Sequence, residues 1–142
     1  MSYLPAVPFA PEPNDDDRGF WDCCNRQRLC FQGCQRCGTV VHPPLAVCPG
    51  CGGIEPRWIE APAAARVYSC TWAHGVADES VRGRTPYNIV LVEFDGLPDV
   101  RLVSNVIDAS YGELTIGAAL RLVWEQGRDQ QWLPRFALAS GT

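Results

Sequence analysis

The chain has 142 residues and a formal net charge of −4, and all twelve of its basic residues are arginine. The acidic balance argues against nucleic acid as a partner, because affinity for nucleic acid comes mainly from neutralising phosphates. Without lysine the chain can form neither a lysine Schiff base nor a lysine-containing phosphate loop, although arginine can still bind phosphate or carboxylate.

Eight cysteines in a chain of this size are compatible with either disulfides or a metal site. The start of the chain is broken by prolines and does not read as a signal peptide, and no apolar stretch is long enough to span a membrane. We therefore expect a cytoplasmic protein whose thiols stay reduced or bind metal.

Residues 1–28 are predicted to form a proline-rich arm followed by a short helix. Four prolines interrupt residues 1–13, and Asn14 then precedes three aspartates, a pattern typical of a helix start. The helix is predicted to run from about Asp15 to Arg28. It carries an apolar pair, Phe20 and Trp21, which either packs on the domain behind it or forms an exposed anchor for a partner. The sequence leaves both alternatives open.

Residues 29–60 are predicted to form a four-cysteine zinc ribbon. Two matched turns, CQRCG and CPGCG, supply Cys34, Cys37, Cys48 and Cys51, separated by ten residues that include two consecutive prolines. A CxxC turn directs two sulfur atoms at one ion, and two such turns complete a tetrahedral site. The glycine after each pair, Gly38 or Gly52, is expected to take a positive φ angle. One structural zinc ion is predicted, with no coordination position left open for catalysis.

Residues 61–142 are predicted to form a five-stranded barrel of the OB type. Alternating or β-branched segments lie at about 67–72, 87–95, 100–107, 120–125 and 133–138, with glycine, proline and aspartate between them. The fold class is thus mainly β, with an N-terminal arm and helix, a zinc ribbon and a C-terminal five-stranded OB-fold barrel.

The remaining candidate residues carry no recognisable catalytic pattern. His42 and His74 are interpreted as structural, Cys70 as a small core residue, and Cys30 as lying outside the metal site because its spacing fits no CxxC turn. Cys23 and Cys24 are adjacent on the helix, where nothing nearby indicates a nucleophile. No catalytic residue is predicted.

An ordered set of residues along the chain resembles one protein family. The set comprises Phe20-Trp21, Leu29, Gln32, the two cysteine turns, Pro43-Pro44, Trp58, Tyr68-Ser69, Thr71, His74, Pro86-Tyr87, Asn105 and Ile116-Gly117. It is similar to bacterial and archaeal acyl-CoA-associated proteins that consist of an N-terminal helix, a rubredoxin-like zinc ribbon and a C-terminal OB-fold.

This resemblance implies an accessory subunit that is not catalytic alone. Family members partner thiolases, thiolase-like aldolases or acyltransferases, help assemble the enzyme and contribute to the channel that holds CoA. If this chain binds CoA, arginine must supply the positive charge, and Arg57, Arg82 and Arg84 are the candidates. Two alternatives are a nucleic-acid-binding zinc-ribbon/OB module and a rubredoxin-like redox protein with iron in the ribbon.

Overall fold

The computed structural model describes residues 10–75 and 85–139. It is mostly β, as the sequence predicts. One helix, α1, spans Arg18–Asn25. The strands are β1 Cys30–Cys34, β2 Val40–Val41, β3 Pro56–Glu60, β4 Ala65–Ala73, β5 Tyr87–Phe94, β6 Leu97–Ser104, β7 Ala119–Gln126 and β8 Trp132–Leu138. Within these residues no helix has the length and apolar character needed to cross a membrane.

Helix α1 is shorter at both ends than the sequence predicts. The Asn14 side chain accepts hydrogen bonds from the backbone N–H groups of Asp16 and Asp17, at 2.8 and 3.0 Å, so it caps a turn that precedes the helix. At the other end Gln27 takes a φ angle of 54°, which helical backbone does not allow. The chain therefore reverses direction after the second turn of the helix.

The ribbon is a three-stranded antiparallel sheet in the order β2-β1-β3. Strand β1 is central, and the five residues of β3 pair with it along its whole length. The pairing places Cys34 at the end of the sheet opposite Pro56, next to the two cysteine turns. The metal-binding end of the ribbon therefore lies at the far end of β1 from α1.

The second sheet is antiparallel, in the order β6-β5-β4-β7-β8, and it curls until its two edges meet. A parallel bridge joins Val106 to Phe136, and the backbone N–H of Ile107 donates to the carbonyl of Phe136 at 2.7 Å. This closure joins the third and fifth strands of the sheet in chain order, β6 and β8, which is the arrangement of an OB barrel. The predicted fold class is confirmed.

A buried asparagine completes the barrel just after β6 ends. Asn88 has no exposed surface, and its side-chain amide exchanges two hydrogen bonds with the backbone of Val106, at 2.7 and 2.8 Å. The side-chain amide of Asn105 in turn donates to the carbonyl of Asn88. The Asn88 side chain thus supplies the pairing that a neighbouring strand would otherwise give, so these buried polar groups are satisfied.

One hydrophobic core connects the helix, the ribbon and the barrel. Phe31 of β1 is fully buried and its ring lies 5.1 Å from that of Phe94, which in turn contacts Phe136 at 6.2 Å. Phe20 and Cys24 of α1 are buried in the same cluster. The near end of the ribbon is therefore packed into the core that the barrel supplies.

An arginine of β6 bonds to the backbone of its own strand. The Arg101 guanidinium donates from Nη1 to the carbonyls of Pro98 and Val100, at 2.7 and 2.9 Å. It also lies over the Tyr68 ring, 4.1 Å from its centroid. Two carbonyls of β6, a terminal strand in the sheet order, are therefore satisfied by a side chain of the same strand.

Candidate metal centre and the adjacent groove

The four cysteines of the two turns converge at the end of the ribbon. Their sulfur atoms all lie within 4.8 Å of one another. Sγ of Cys34 is 3.6 Å from that of Cys51, and Sγ of Cys37 is 3.6 Å from that of Cys48. These separations are far too long for disulfides, whose S–S bond is about 2.05 Å.

The local backbone is built to stabilise negative charge on these sulfurs. Gly38 and Gly52 have φ angles of 80° and 77°, as the sequence predicts, and each closes its turn by donating to the carbonyl of the first cysteine. The backbone N–H groups of Arg36 and Gly50 donate to Sγ of Cys34 and Cys48, both at 3.4 Å. Such N–H···S bonds favour thiolates over thiols.

The donor set fits zinc. A tetrahedral ion with Zn–S bonds of about 2.3 Å places its ligands about 3.8 Å apart, close to the observed sulfur separations. The hydroxyl and backbone N–H of Thr39 lower the pKa of Cys37 to about 6. For Cys51, the Gly53 amide lowers the pKa, but burial and the other three cysteines raise it to about 11. Four clustered thiols cannot all ionise unless a cation balances their charge, and one structural zinc ion supplies that positive charge.

The other cysteines lie outside this site. The only group of three or more metal-binding side chains in the described residues is the four-cysteine cluster, so Cys30 is excluded as predicted. Cys70 is half-buried and packs against the core, where its thiol donates to the carbonyl of Leu114 at 3.9 Å. Cys24 is fully buried.

A groove of about 450 Å³ lies where α1, the ribbon loop and the barrel meet. Trp21 and His42-Pro43-Pro44 form part of its wall, and residues 101–103 of β6 and 133–135 of β8 form another part. The start of the helix region completes it with Asn14, Asp16, Asp17 and Phe20. It is therefore bounded by both edges of the barrel sheet. Its lining is mainly apolar, which is typical of a site for a small molecule or a partner segment.

His42 contributes a polar atom without a partner to this region. Its ring contacts Phe20 and Phe31 at 5.0 and 5.2 Å, and its Nδ1 atom is buried with no hydrogen-bond partner in the described structure. Burial lowers the pKa of His42 to about 4, so the imidazole is neutral at pH 7. Because Nδ1 itself is buried, it is not open to a ligand in the groove, although other parts of His42 line it.

Two arginines that the sequence did not identify as candidates line the groove. Arg101 makes the backbone and ring contacts described above, and Arg135 lies 3.8 Å from the buried carboxylate of Glu125. Both guanidinium groups therefore have contacts inside the protein. No sequence motif marks them, because they reach the groove through barrel closure between distant strands.

The other predicted binding residues fall in different places. Arg57 is exposed on β3 and does not line the groove, while Arg82 and Arg84 lie outside the described residues. Phe20 is 4% exposed and belongs to the core, which is the first of the two alternatives for the aromatic pair. Trp21 is half-buried and lies in the groove wall.

Two sequence families match consecutive parts of the chain. The rubredoxin-like zinc ribbon domain of ChsH2 matches residues 21–55, and the C-terminal OB-fold domain of ChsH2 matches residues 58–125. The two matches follow each other in the order of the ribbon and barrel seen here.

Among solved structures, one titled "Ltp2-ChsH2(DUF35) aldolase" superposes with a TM-score of 0.81 at 30% identity, covering 91% of this chain and 98% of that one. A DUF35 protein of unknown function from Sulfolobus solfataricus has the same fold, with a TM-score of 0.59 at 21% identity, covering 85% of this chain and 83% of that one.

Two curated relatives also match. A "DUF35 domain-containing scaffold protein" of Methanocaldococcus jannaschii is 29% identical over 73% of this chain and 77% of its own length. A "Probable enoyl-CoA hydratase alpha subunit" of Thermomonospora curvata is 31% identical over 89% of this chain, but this chain spans only 38% of that protein.

The fold and the metal centre define a zinc-ribbon/OB-fold protein. The chain belongs to the ChsH2/DUF35 family. This follows from the matches to both ChsH2 domains and from the likeness to nearly the whole length of a ChsH2(DUF35) chain.

Proposed function

We propose that this chain is a non-catalytic accessory subunit of a thiolase-like enzyme complex that acts on acyl-CoA in lipid, steroid or aromatic acyl-CoA metabolism. The observation that carries the proposal is the likeness to the chain of the Ltp2-ChsH2(DUF35) aldolase, which extends over 98% of that chain. The relative from M. jannaschii is named a scaffold protein and the one from T. curvata a subunit. These names support an assembly role.

The chemistry of the described residues agrees with a role without catalysis. Four protein thiolates fill the coordination sphere of zinc, so the metal offers no position for substrate or water. His42 is neutral, packed between aromatic rings, and has no nucleophile or carboxylate as a hydrogen-bond partner. We infer that the catalytic groups belong to the partner.

The groove is our candidate for the pantetheine arm of CoA. The arm is thin, which suits a mainly apolar groove of this kind. The guanidinium groups of Arg101 and Arg135 already have protein contacts. We therefore assign the phosphates of CoA to the arginines predicted from the sequence, Arg57, Arg82 and Arg84. Arg57 makes no ion pair with the described residues.

Affinity purification from the native cell tests the assembly role. A thiolase-like subunit in stoichiometric amount, whose acyl-CoA activity requires this chain, is the expected result. Recovery of an enoyl-CoA hydratase without a thiolase-like subunit would contradict the proposed partner class. Tight binding of single-stranded DNA in a fluorescence-anisotropy titration, weakening steeply with salt, would instead favour the nucleic-acid module.

The groove wall is also our candidate for part of the partner interface. Since Phe20 is core, Trp21→Ala is the sharper variant, and it should weaken the complex by about 2–4 kcal/mol, the range for aromatic hot spots. Tyr111→Ala is the matched control, because Tyr111 is 71% exposed and does not line the groove. Equal affinities for both variants, measured by surface plasmon resonance, would remove Trp21 from the interface.

The arginine assignment is tested on the assembled complex. Arg82→Ala/Arg84→Ala and Arg57→Ala should each raise the apparent KM for acyl-CoA by about tenfold, since charge-assisted bonds contribute about 1.5–3 kcal/mol each. Arg121→Ala, an exposed arginine on β7, is the control and should leave KM unchanged. Unchanged CoA affinity by isothermal titration in all variants would overturn the assignment.

A further inference from the structure

The groove carries charges of opposite sign on two of its walls. Asp16 and Asp17 line it where α1 begins, which we call the helix wall, and Arg101 and Arg135 line it on β6 and β8, which we call the barrel wall. Among the ion pairs of the described residues, none joins these two walls. The groove is therefore acidic on one side and basic on the other.

The positive charge of the barrel wall is already engaged by the protein. Arg101 donates to two carbonyls of its own strand and lies over the Tyr68 ring. Arg135 lies 3.8 Å from the buried carboxylate of Glu125, which offsets its charge. These two guanidinium groups therefore add little attraction for an anionic ligand.

The negative charge of the helix wall is not offset by a described basic side chain. The nearby Arg18 pairs with Asp15 at 3.5 Å, and Asp15 does not line the groove. The Asp17 carboxylate accepts a hydrogen bond from the backbone N–H of Asn14 at 2.7 Å, which leaves its charge in place. Asp16 is exposed, so its carboxylate lies at the mouth of the groove.

The same two carboxylates stand at the end of α1 that would otherwise attract an anion. The first N–H groups of a helix carry partial positive charge and commonly bind phosphate. Asp17 is the N-cap residue of α1, and Asp16 precedes it directly. The side of the groove where a helix would stabilise a phosphate is therefore made repulsive to one.

We propose that Asp16 and Asp17 fix the direction in which acyl-CoA lies in the groove. This inference rests on the proposed assignment of the groove to the pantetheine arm. The arm is uncharged, but one of its ends carries the phosphates and the other the thioester. Repulsion from the two aspartates directs the phosphates away from the start of α1 and the thioester toward it.

This direction agrees with the candidate partner interface. The backbone N–H of Trp21 donates to the carbonyl of Asp17 at 3.2 Å, so Trp21 lies one helical turn from the acidic mouth. Trp21 also lines the groove, in the wall that we assign to the partner. The thioester thus lies at the end of the groove nearest the subunit that we expect to carry the catalytic groups.

Steady-state kinetics of the assembled complex test the direction. In Asp16→Asn/Asp17→Asn, acyl-CoA can also bind in the reverse, unproductive direction. Unproductive binding lowers kcat and KM by the same factor and leaves kcat/KM unchanged. We expect each to fall about twofold, the value for two equally populated directions. Measurement at about 0.15 M ionic strength screens charges more than about 8 Å apart. Asparagine keeps the oxygen that accepts the Asn14 N–H, so the turn before α1 is preserved.

Two controls make this result specific to charge in the groove. Asp15→Asn removes a carboxylate of the same turn that does not line the groove, and it should leave both kinetic parameters unchanged. The matching acyl-pantetheine thioester has no phosphates, so its kcat and KM should be the same with wild type and the double variant. Unchanged parameters for acyl-CoA in the double variant would overturn the proposal, as would a fall in kcat/KM.

A variant that narrows the groove separates failure of this proposal from failure of the proposed function. Val103 is 63% exposed and lines the groove, so Val103→Trp should obstruct it without disturbing the core. We expect a raised KM for both acyl-CoA and the acyl-pantetheine thioester. If neither KM changes, the groove does not hold the arm and both proposals fail. If both rise while Asp16→Asn/Asp17→Asn behaves as wild type, only the proposed direction is wrong.

Discussion

The tip of the ribbon and the barrel are stabilised in different ways. No residue from 35 to 60 is buried, although apolar side chains such as Leu45, Val47 and Ile54 occur there. The barrel strands instead supply fully buried valines and Phe136. Chain length alone does not explain why the barrel has a buried core and the ribbon tip does not. The ribbon tip folds around a single metal site, whereas the barrel strands enclose a hydrophobic interior. A short segment without an interior depends on the metal for its fold.

Removing the metal should give the largest effect and affect only one of the two regions. Cys34→Ser or Cys51→Ser should abolish zinc binding and unfold the ribbon tip, because a structural zinc contributes about 10–16 kcal/mol at neutral pH. The barrel should keep its strands, which NMR would show as retained dispersed signals. Cys30→Ser is the control, with about one zinc per chain in elemental analysis. Simultaneous loss of the barrel signals would mean that both regions depend on the metal.

A cavity in the barrel core should lower stability but leave zinc binding intact, the opposite of removing a zinc ligand. Phe136 has no exposed surface, so Phe136→Ala should lower the free energy of unfolding by about 3–5 kcal/mol. Chemical denaturation measures this change, and elemental analysis should still find zinc in the folded fraction. Loss of zinc from protein that remains folded would show that the core also holds the cysteine turns in place.

His42 links the two regions and should make stability depend on pH. Its pKa is lowered to about 4 in the folded chain, against 6.5 for the free group. Between these values the unfolded chain binds the extra proton, so stability present above pH 6.5 is lost as pH falls toward 4, by up to about 3 kcal/mol.

Denaturation of wild type and His42→Phe at several pH values separates this effect from acid release of zinc. Both proteins lose metal at low pH, because the thiolates protonate. Only the wild type should show the additional decline between pH 6.5 and the point of metal loss. Parallel curves would mean that His42 is not responsible.

The smallest effect is expected at the ribbon tip itself. Ile54 is 73% exposed, so Ile54→Ser should change the free energy of unfolding by no more than about 0.5 kcal/mol. Thermal denaturation of the zinc-loaded chain gives the comparison with wild type. A larger loss would show that apolar packing supports the cysteine turns in addition to zinc.

Local chemistry explains which features the sequence predicted well. The CxxC turns and their glycines are encoded within a few residues, so the zinc ligands, Gly38 and Gly52 could be identified directly. The barrel strands also follow from alternation, and the predicted segment at 87–95 differs from β5 by one residue. The predicted end of α1 at Arg28 is wrong, since the helix ends at Asn25, because a positive φ angle at Gln27 has no strong sequence signal.

Features that depend on tertiary contacts were not predictable. His42, Arg101 and Arg135 meet at the groove only because the barrel closes and the ribbon packs against it. The division into segments at residues 28 and 60 stays a prediction, while the buried cluster extends across both positions.

The contacts of Arg101 have a consequence for solubility. An uncovered strand edge can recruit a strand from another molecule and so start aggregation. Here a charged side chain occupies the carbonyls of Pro98 and Val100 and is itself held over the Tyr68 ring. Two carbonyls of β6 are therefore not available to a strand of another molecule. A chain that has lost this arginine should form β-rich oligomers at concentrations where the natural sequence stays monodisperse.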